Sequence, residues 1–100
     1  MKEFEVNSIH KPNRNSSHEH ITHIGNNTGL WKMTRETAIA RIDSKTEAYY
    51  TIDYTSGKRA YIGVVRSAGK LPYLRTYADS KYNDNLLALL ECSPSCKLVT

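Results

Sequence analysis

Three stretches in the second half of the chain alternate apolar with polar residues at a period of two: Ala48–Tyr54, Arg59–Arg66 and Leu71–Tyr77. Short connections separate them, Thr55-Ser56-Gly57-Lys58 and Ser67-Ala68-Gly69-Lys70, each with one glycine. Period-two alternation is the pattern of a half-buried strand, and a glycine supplies the left-handed backbone position that tight hairpins need. The pattern predicts a meander with one face on a core and the other toward water. Pro72 lacks an amide donor, so the last strand is expected at a sheet edge, or paired on one side there. At 100 residues the chain has the length of one domain.

The first half carries weaker signals. Glu3–Ile9 alternates Phe4, Val6 and Ser8 against Glu5, Asn7 and Ile9 and predicts a strand. Lys11–Ser17 is polar, holds Pro12, and reads as a loop. Its Arg14, with Asn and Ser donors around it, suits an anion. Glu19–Ile24 predicts a short strand, and Gly25-Asn26-Asn27-Thr28-Gly29 a turn, because Gly and Asn tolerate positive φ. A helix begins at Thr34, whose hydroxyl can cap the first turn while Glu36 favours the positive end of the dipole. Met33 packs on Ala38 as a staple, Ala38, Ile39 and Ile42 make the apolar stripe, and the helix ends near Ser44–Thr46. Trp31 is expected to lid the core. Asn85–Leu90 predicts a helical turn closing the core, and 93–100 a loose tail after a single domain over 1–92. The expected fold is α+β: a four- to five-stranded, mostly antiparallel sheet with one helix on one face.

Composition and charge narrow the function. With 39% hydrophobic and 24% charged residues the chain is neither collagen-like nor wholly disordered. Its longest apolar run, Leu86–Leu90, is far too short to cross a bilayer, so no membrane partner is expected. Met1-Lys2-Glu3-Phe4-Glu5 lacks the apolar stretch of a secretory leader. Two cysteines and no leader predict free thiols in the cytoplasm. The net charge is +4, but five cations and no acid lie between Tyr54 and Ala78. The remaining nine cations against 10 acids leave the rest of the chain at −1. Four of the seven tyrosines share that basic stretch.

If the helix covers the face of Tyr50, Ile52, Ile62, Val64 and Leu74, the open face gathers Tyr49, Arg59, Tyr61, Tyr73, Arg75 and Tyr77. Rings interleaved with Arg make a platform on which bases stack while cations meet phosphates. Tyr61 and Tyr73 would stack beside Tyr49 on the same face, Arg59, Arg66, Lys70 and Arg75 would neutralise phosphates, and Gly63 would let a base approach the backbone. A slip of one residue would exchange the two faces. The face suits a nucleic acid or nucleotide; a protein partner, or a second copy in a homodimer, would use the same surface.

Several segments resemble a small bacterial family of domains of unknown function. The resemblance rests on His18-Glu19-His20-Ile21-Thr22-His23-Ile24-Gly25, Trp31-Lys32-Met33-Thr34-Arg35-Glu36, Arg59–Arg66, Pro72-Tyr73-Leu74-Arg75-Thr76-Tyr77-Ala78-Asp79 and Asn83–Leu89. It spans roughly residues 7 to 92. The family pattern ends in Leu-Pro-Glu-Cys where this chain has Leu89-Leu90-Glu91-Cys92, so a turn-forming proline is replaced by Leu90. The resemblance implies a bacterial, cytoplasmic, stand-alone domain and brings no reaction with it.

Other chemistry has little footing. His18 and His20 would share one face of a strand and offer imidazoles to a metal, with His23 opposite. Yet position 22 is Thr, not the His a zincin needs, and the Cys92/Cys96 spacing is not diagnostic. A zinc-dependent enzyme or zinc-stabilised domain is the weakest reading, and no metal site is assigned. No serine lies in a Gly-x-Ser-x-Gly elbow and no phosphate-binding glycine loop occurs, so no catalytic residue and no cofactor are assigned. The sequence leans toward a non-enzymatic binding module.

Overall fold

The alternating segments do form a meander in the structure, a computed structural model that describes residues 1–13, 15–78, 81–83 and 85–99. In chain order the strands are β1 (Lys2–Glu5), β2 (Ser8–His10), β3 (His23–Asn26), β4 (Trp31–Thr34), β5 (Glu47–Ile52), β6 (Arg59–Val65), β7 (Tyr73–Ala78), β8 (Lys81–Asn83), β9 (Leu90–Glu91) and β10 (Lys97–Leu98). One α-helix among the described residues, α1 (Arg35–Asp43), joins β4 to β5. The strands build two five-stranded sheets, ordered β1-β5-β6-β7-β8 and β10-β4-β3-β2-β9. The α+β class holds. The single, mostly antiparallel sheet is corrected to two mixed ones, because β1 joins β5, β10 joins β4 and β9 joins β2 in parallel. Segments as short as β9 and β10 carry no period that a sequence could reveal.

The meander behaves as its glycines require. Gly57 and Gly69 take φ of 76° and 78°, and the register pairs Thr51 with Ala60 and Val64 with Leu74. β7 is paired only with β6 near Pro72, while its far end also pairs with β8, so the proline sits where one side needs no donor. Thr34 caps α1 by accepting from the Thr37 amide at 3.1 Å, and Ser44 ends it. Ala38 is buried, with Ile39 and Ile42 packed at its flanks.

The predicted Glu3–Ile9 strand is split. The Val6 amide donates to Tyr50 in the first sheet (2.7 Å), and the next amide, of Asn7, donates to Gly25 in the second (3.0 Å). The chain thus changes sheet between consecutive residues. Three asparagines stabilise the crossing. Asn7 Oδ1 accepts from the Asn27 amide (2.8 Å) and Asn26 Nδ2 donates to the Glu5 carbonyl (3.0 Å). Asn26 Oδ1 accepts from the amides of Thr28 and Gly29, both at 2.9 Å. Asn27 reaches across to the C-terminal segment, accepting from the Ser93 amide (2.8 Å) and donating to the Glu91 carbonyl (3.1 Å).

Three further expectations change. Residues His18–His20 form a 3-10 turn rather than part of a strand, closed by His20 and Ile21 amides on Ser17 and His18 carbonyls. Ile21 and Ile24 are three apart and both wholly buried in one cluster, whereas an unbroken strand would send them to opposite faces. Gly25 belongs to β3, where a Cβ would lie 2.6 Å from the Trp31 carbonyl, and the positive φ of the turn falls on Leu30 at 58°. Finally, the supposed loose tail is anchored: Lys97 donates to Leu30 and Val99 to Lys32, and Cys96 is buried. Leu90 opens β9. The predicted helical turn is present at Asn85–Ala88, with Leu86 wholly buried in the core.

Both sheets, α1 and this turn bury one cluster that includes Val6, Ile9, Ile24, Tyr49, Ile62 and Leu74. If the asparagines hold the sheets together, Asn26→Ala should cost about 1–3 kcal/mol, the penalty for leaving partly buried amide partners unmet. Urea denaturation with an unchanged slope would read it, and a cost near zero would remove Asn26 from that role.

Candidate functional site: the outer face of the first sheet

Alternation along β6 and β7 sorts their side chains as expected. Ala60, Ile62, Leu74 and Thr76 are buried; Arg59, Tyr61, Gly63, Tyr73, Arg75 and Tyr77 lie on the outer, half-buried or exposed face. On β5 the faces are reversed. Tyr49, expected to stack on the open face, is 1% exposed in the core, and Tyr50 takes the outer position. Period two says which residues share a face but not which face is inside, and here the pairing of Tyr50 with Tyr61 decides it. The outer face therefore carries a row Tyr50–Tyr61–Tyr77 across three strands, with Arg75 opposite Gly63 and Tyr73 opposite Val65.

Arg59 lies over the Tyr50 ring, 4.1 Å from its centroid, and the Tyr50 and Tyr61 rings are 5.9 Å apart. The parallel strand β1 brings Glu3 and Glu5 to the same face. Glu3 Oε1 accepts from Arg59 Nη1 at 3.2 Å and from the Tyr61 hydroxyl at 2.8 Å; Glu5 accepts from the Tyr54 hydroxyl. Gly63 is not an opening for a ligand. A Cβ there would be 2.9 Å from Tyr77 Cε1, so the neighbour's own ring covers it.

The sequence-local positive charge is spread by folding. Arg59 pairs with Glu3, Arg66 with Asp43 at the end of α1, and Lys70 with Glu19 at 2.8 Å. The hydrogen bond from Lys70 holds the Glu19 carboxyl below its usual range and raises the Lys70 ammonium. Arg66 and Lys70 thus turn toward α1 and the 3-10 turn, away from the tyrosine row, while Arg75 stays on it and donates to the Asn83 carbonyl. Arg14 lies outside the described residues. Around it, Lys11 is buried and donates to the Ser16 carbonyl, and Asn13 closes the loop on Asn15.

The histidines do not converge as a strand would have placed them. His18 is buried and His20 exposed in the 3-10 turn. His23 instead meets His10, with ring centroids 5.8 Å apart, and its Nδ1 lies 2.8 Å from the Thr22 hydroxyl. Burial, then the neighbouring His10, lowers the pKa of His23. His10 Nδ1 pairs with Glu91. Among the described residues no three His, Cys, Asp or Glu side chains form a metal-ligating group. Cys92 and Cys96 are free thiols; burial pushes the Cys92 thiol up, and Cys96 Sγ lies 3.4 Å from Asn27 Oδ1.

Sequence reasoning missed a concavity between the sheets beneath the end of α1. It measures about 240 Å3 and is lined by Phe4, Trp31, Met33, Arg41, Glu47, Tyr49 and Val99. Trp31 packs half-buried against the core, as a lid would, and also borders this opening. Its polar end is Glu47, which accepts from Arg41 Nη1 at 2.9 Å and from the Tyr49 hydroxyl. Those bonds, Tyr49's first, hold the Glu47 carboxyl below its ordinary range. Burial, reinforced by the bond to Glu47, pushes the Tyr49 phenol up to about 12. The available signal was Trp31 and Tyr49 as large rings on separate strands.

Fold and site define a small two-sheet α+β domain with an open aromatic face and an interlayer cavity. The chain belongs to the family described as a protein of unknown function (DUF3892), which it matches over residues 5–90. No curated protein and no solved structure matches it. No helix among the described residues is long and apolar enough to cross a membrane.

Gly63→Ala should turn the Tyr77 ring off the sheet, read as a change in its NMR ring resonances; unchanged resonances would mean that the ring does not rest there. Tyr49 has a folded pKa above the ordinary value of about 10. Its contribution to stability is therefore complete below about pH 10 and is lost as pH rises through about 12. Absorbance titration should show Tyr49 as the last tyrosine to ionise, and Tyr49→Phe should remove that late step.

Proposed function

We propose that this chain is a non-enzymatic binding module whose outer sheet face takes a single-stranded nucleic acid or a nucleotide. The observation that carries this reading is the outer-face row Tyr50–Tyr61–Tyr77, half-buried at the first two rings and exposed at Tyr77, with Arg75 beside it, on a sheet whose other face is fixed by the core. Bases stack on such rings whatever their identity, and Arg adds both charge and a flat surface for stacking. Arg75 and Arg59 are the phosphate partners within the row, and Tyr73 extends the platform at its end. Arg66 and Lys70, held by Asp43 and Glu19, flank the face rather than form it.

One observation favours a second reading, a protein–protein adaptor or inhibitor that uses the same face. Glu3 balances Arg59 and Tyr61, and a charge-compensated surface of Tyr and Arg suits a protein interface, where those residues are the usual anchors.

The double variant Tyr61→Ala with Arg75→Ala should weaken single-stranded DNA or RNA binding by more than about 1 kcal/mol, the scale of one stacked base. Glu3→Gln separates the readings. Removing that acid frees Arg59, so nucleic-acid affinity should rise and the dependence on salt steepen by up to about one phosphate contact. NMR titrations at two salt concentrations would follow both. Shifts absent from Tyr61, Gly63 and Arg75 would exclude nucleic acid from this face and leave the protein-partner reading.

A further inference from the structure

The interlayer cavity stands apart from the outer face and has its own chemistry. Three rings converge on it from both sheets. Phe4 stacks on Tyr49 at 6.1 Å with 27° between planes, and Trp31 meets the two rings edge-on and tilted, each at 6.3 Å. Only one end is polar, and there the Arg41 guanidinium is bonded to the Glu47 carboxylate, with Lys2 acting on that carboxylate from the neighbouring strand. The bonds from Arg41 and from the Tyr49 hydroxyl both fall on Glu47 Oε1. Its Oε2 still has the lone pairs of a carboxylate to offer a donor.

Size and charge together select a ligand class. Apolar cavities of roughly 150 Å3 already admit a benzene ring. At about 240 Å3 this one holds a single substituted ring, and not a nucleotide or a folded peptide segment. Aromatic walls favour a flat apolar body. The Arg41–Glu47 ion pair disfavours a net anion, which would be repelled by Glu47, and a net cation, which would face Arg41 and Lys2.

We propose that this cavity binds a small, neutral, single-ring aromatic molecule with one hydrogen-bond donor, its ring against Phe4, Trp31 and Tyr49 and its donor on the Glu47 carboxylate. Phenol is the simplest member of that class. Sequestration of such a compound would be a second binding activity, independent of the tyrosine row, because the cavity residues face away from it.

Trp31 is the chain's single tryptophan, so its indole N–H resonance reports on the cavity directly. Phenol added to the full chain should shift that resonance saturably at low millimolar concentration, within reach of a ligand with so few atoms. Toluene, which keeps the ring and lacks the donor, should bind about tenfold more weakly, the difference expected for one hydrogen bond to a charged group. Val99→Phe, a change at the edge of the cavity, should abolish the shift while the remaining spectrum keeps its dispersion. Glu47→Gln should erase the preference for phenol over toluene. No saturable shift with phenol, equal binding of toluene, tighter binding of benzoate or tetramethylammonium, or a response unchanged in Val99→Phe would each overturn the proposal. The wild-type ligand series needs no variant, so a failure of Glu47→Gln to fold does not remove the test. Tyr61→Ala with Arg75→Ala should leave the phenol response intact, which keeps a failure here separate from a failure of the outer-face reading.

Discussion

Consecutive amides at Val6 and Asn7 donate to different sheets, Val6 to Tyr50 and Asn7 to Gly25. A buried backbone donor has to be satisfied, and here the two acceptors belong to the two layers whose contact makes the core. The side chains of Asn7, Asn26 and Asn27 complete the junction, tying the crossing to the β3–β4 turn and the turn to the C-terminal strands. Small amide side chains suit this place because each offers both a donor and an acceptor. Without the crossing, β1 would continue in one sheet and the interlayer space would lose a wall.

Both candidate sites depend on that strand. Its parallel pairing with β5 sets Phe4 beside Tyr49 on the inner side, where the cavity lies, and Glu3 and Glu5 on the outer side, where the tyrosine row lies. The same four residues thus supply an aromatic wall to one site and the compensating acid to the other. Electrostatics follows the same logic. Cations that are neighbours in sequence find acids contributed by β1, α1 and the 3-10 turn, and a stretch without a single acid becomes a surface of ion pairs. Exposed pairs of this kind contribute little to stability, so their main effect is on what the surface can attract.

Much of the fold was legible in particular residues. Gly57 and Gly69 marked the meander, Thr34 marked the start of α1, and Leu86 marked the closing turn. Inner and outer positions on β6 and β7 also followed from alternation, which is why Tyr61, Tyr73 and Arg75 fall where expected. The misreadings share a cause. At Glu3–Ile9 and Glu19–Ile24 the pattern continued while the backbone bent, because the bend is held by partners distant in sequence rather than by Gly or Pro. Tyr49 and Tyr50 are adjacent and identical, and nothing local distinguishes the one that belongs inside.

The sequence by itself determined the meander, the capped helix, the sharing of faces along each long strand, and the family to which the chain belongs. The first three follow from periodicity, turn chemistry and residue type, all of which act over a few neighbouring residues, and the family from a match along residues 5–90. Tertiary structure alone decided that there are two sheets, that the chain changes sheet at Val6, that Tyr49 turns inward and Glu3 meets Arg59, and that a cavity opens beneath α1. Those are contacts between residues tens of positions apart, set by which backbone donors and acceptors remain to be paired when the layers close. No local pattern encodes them.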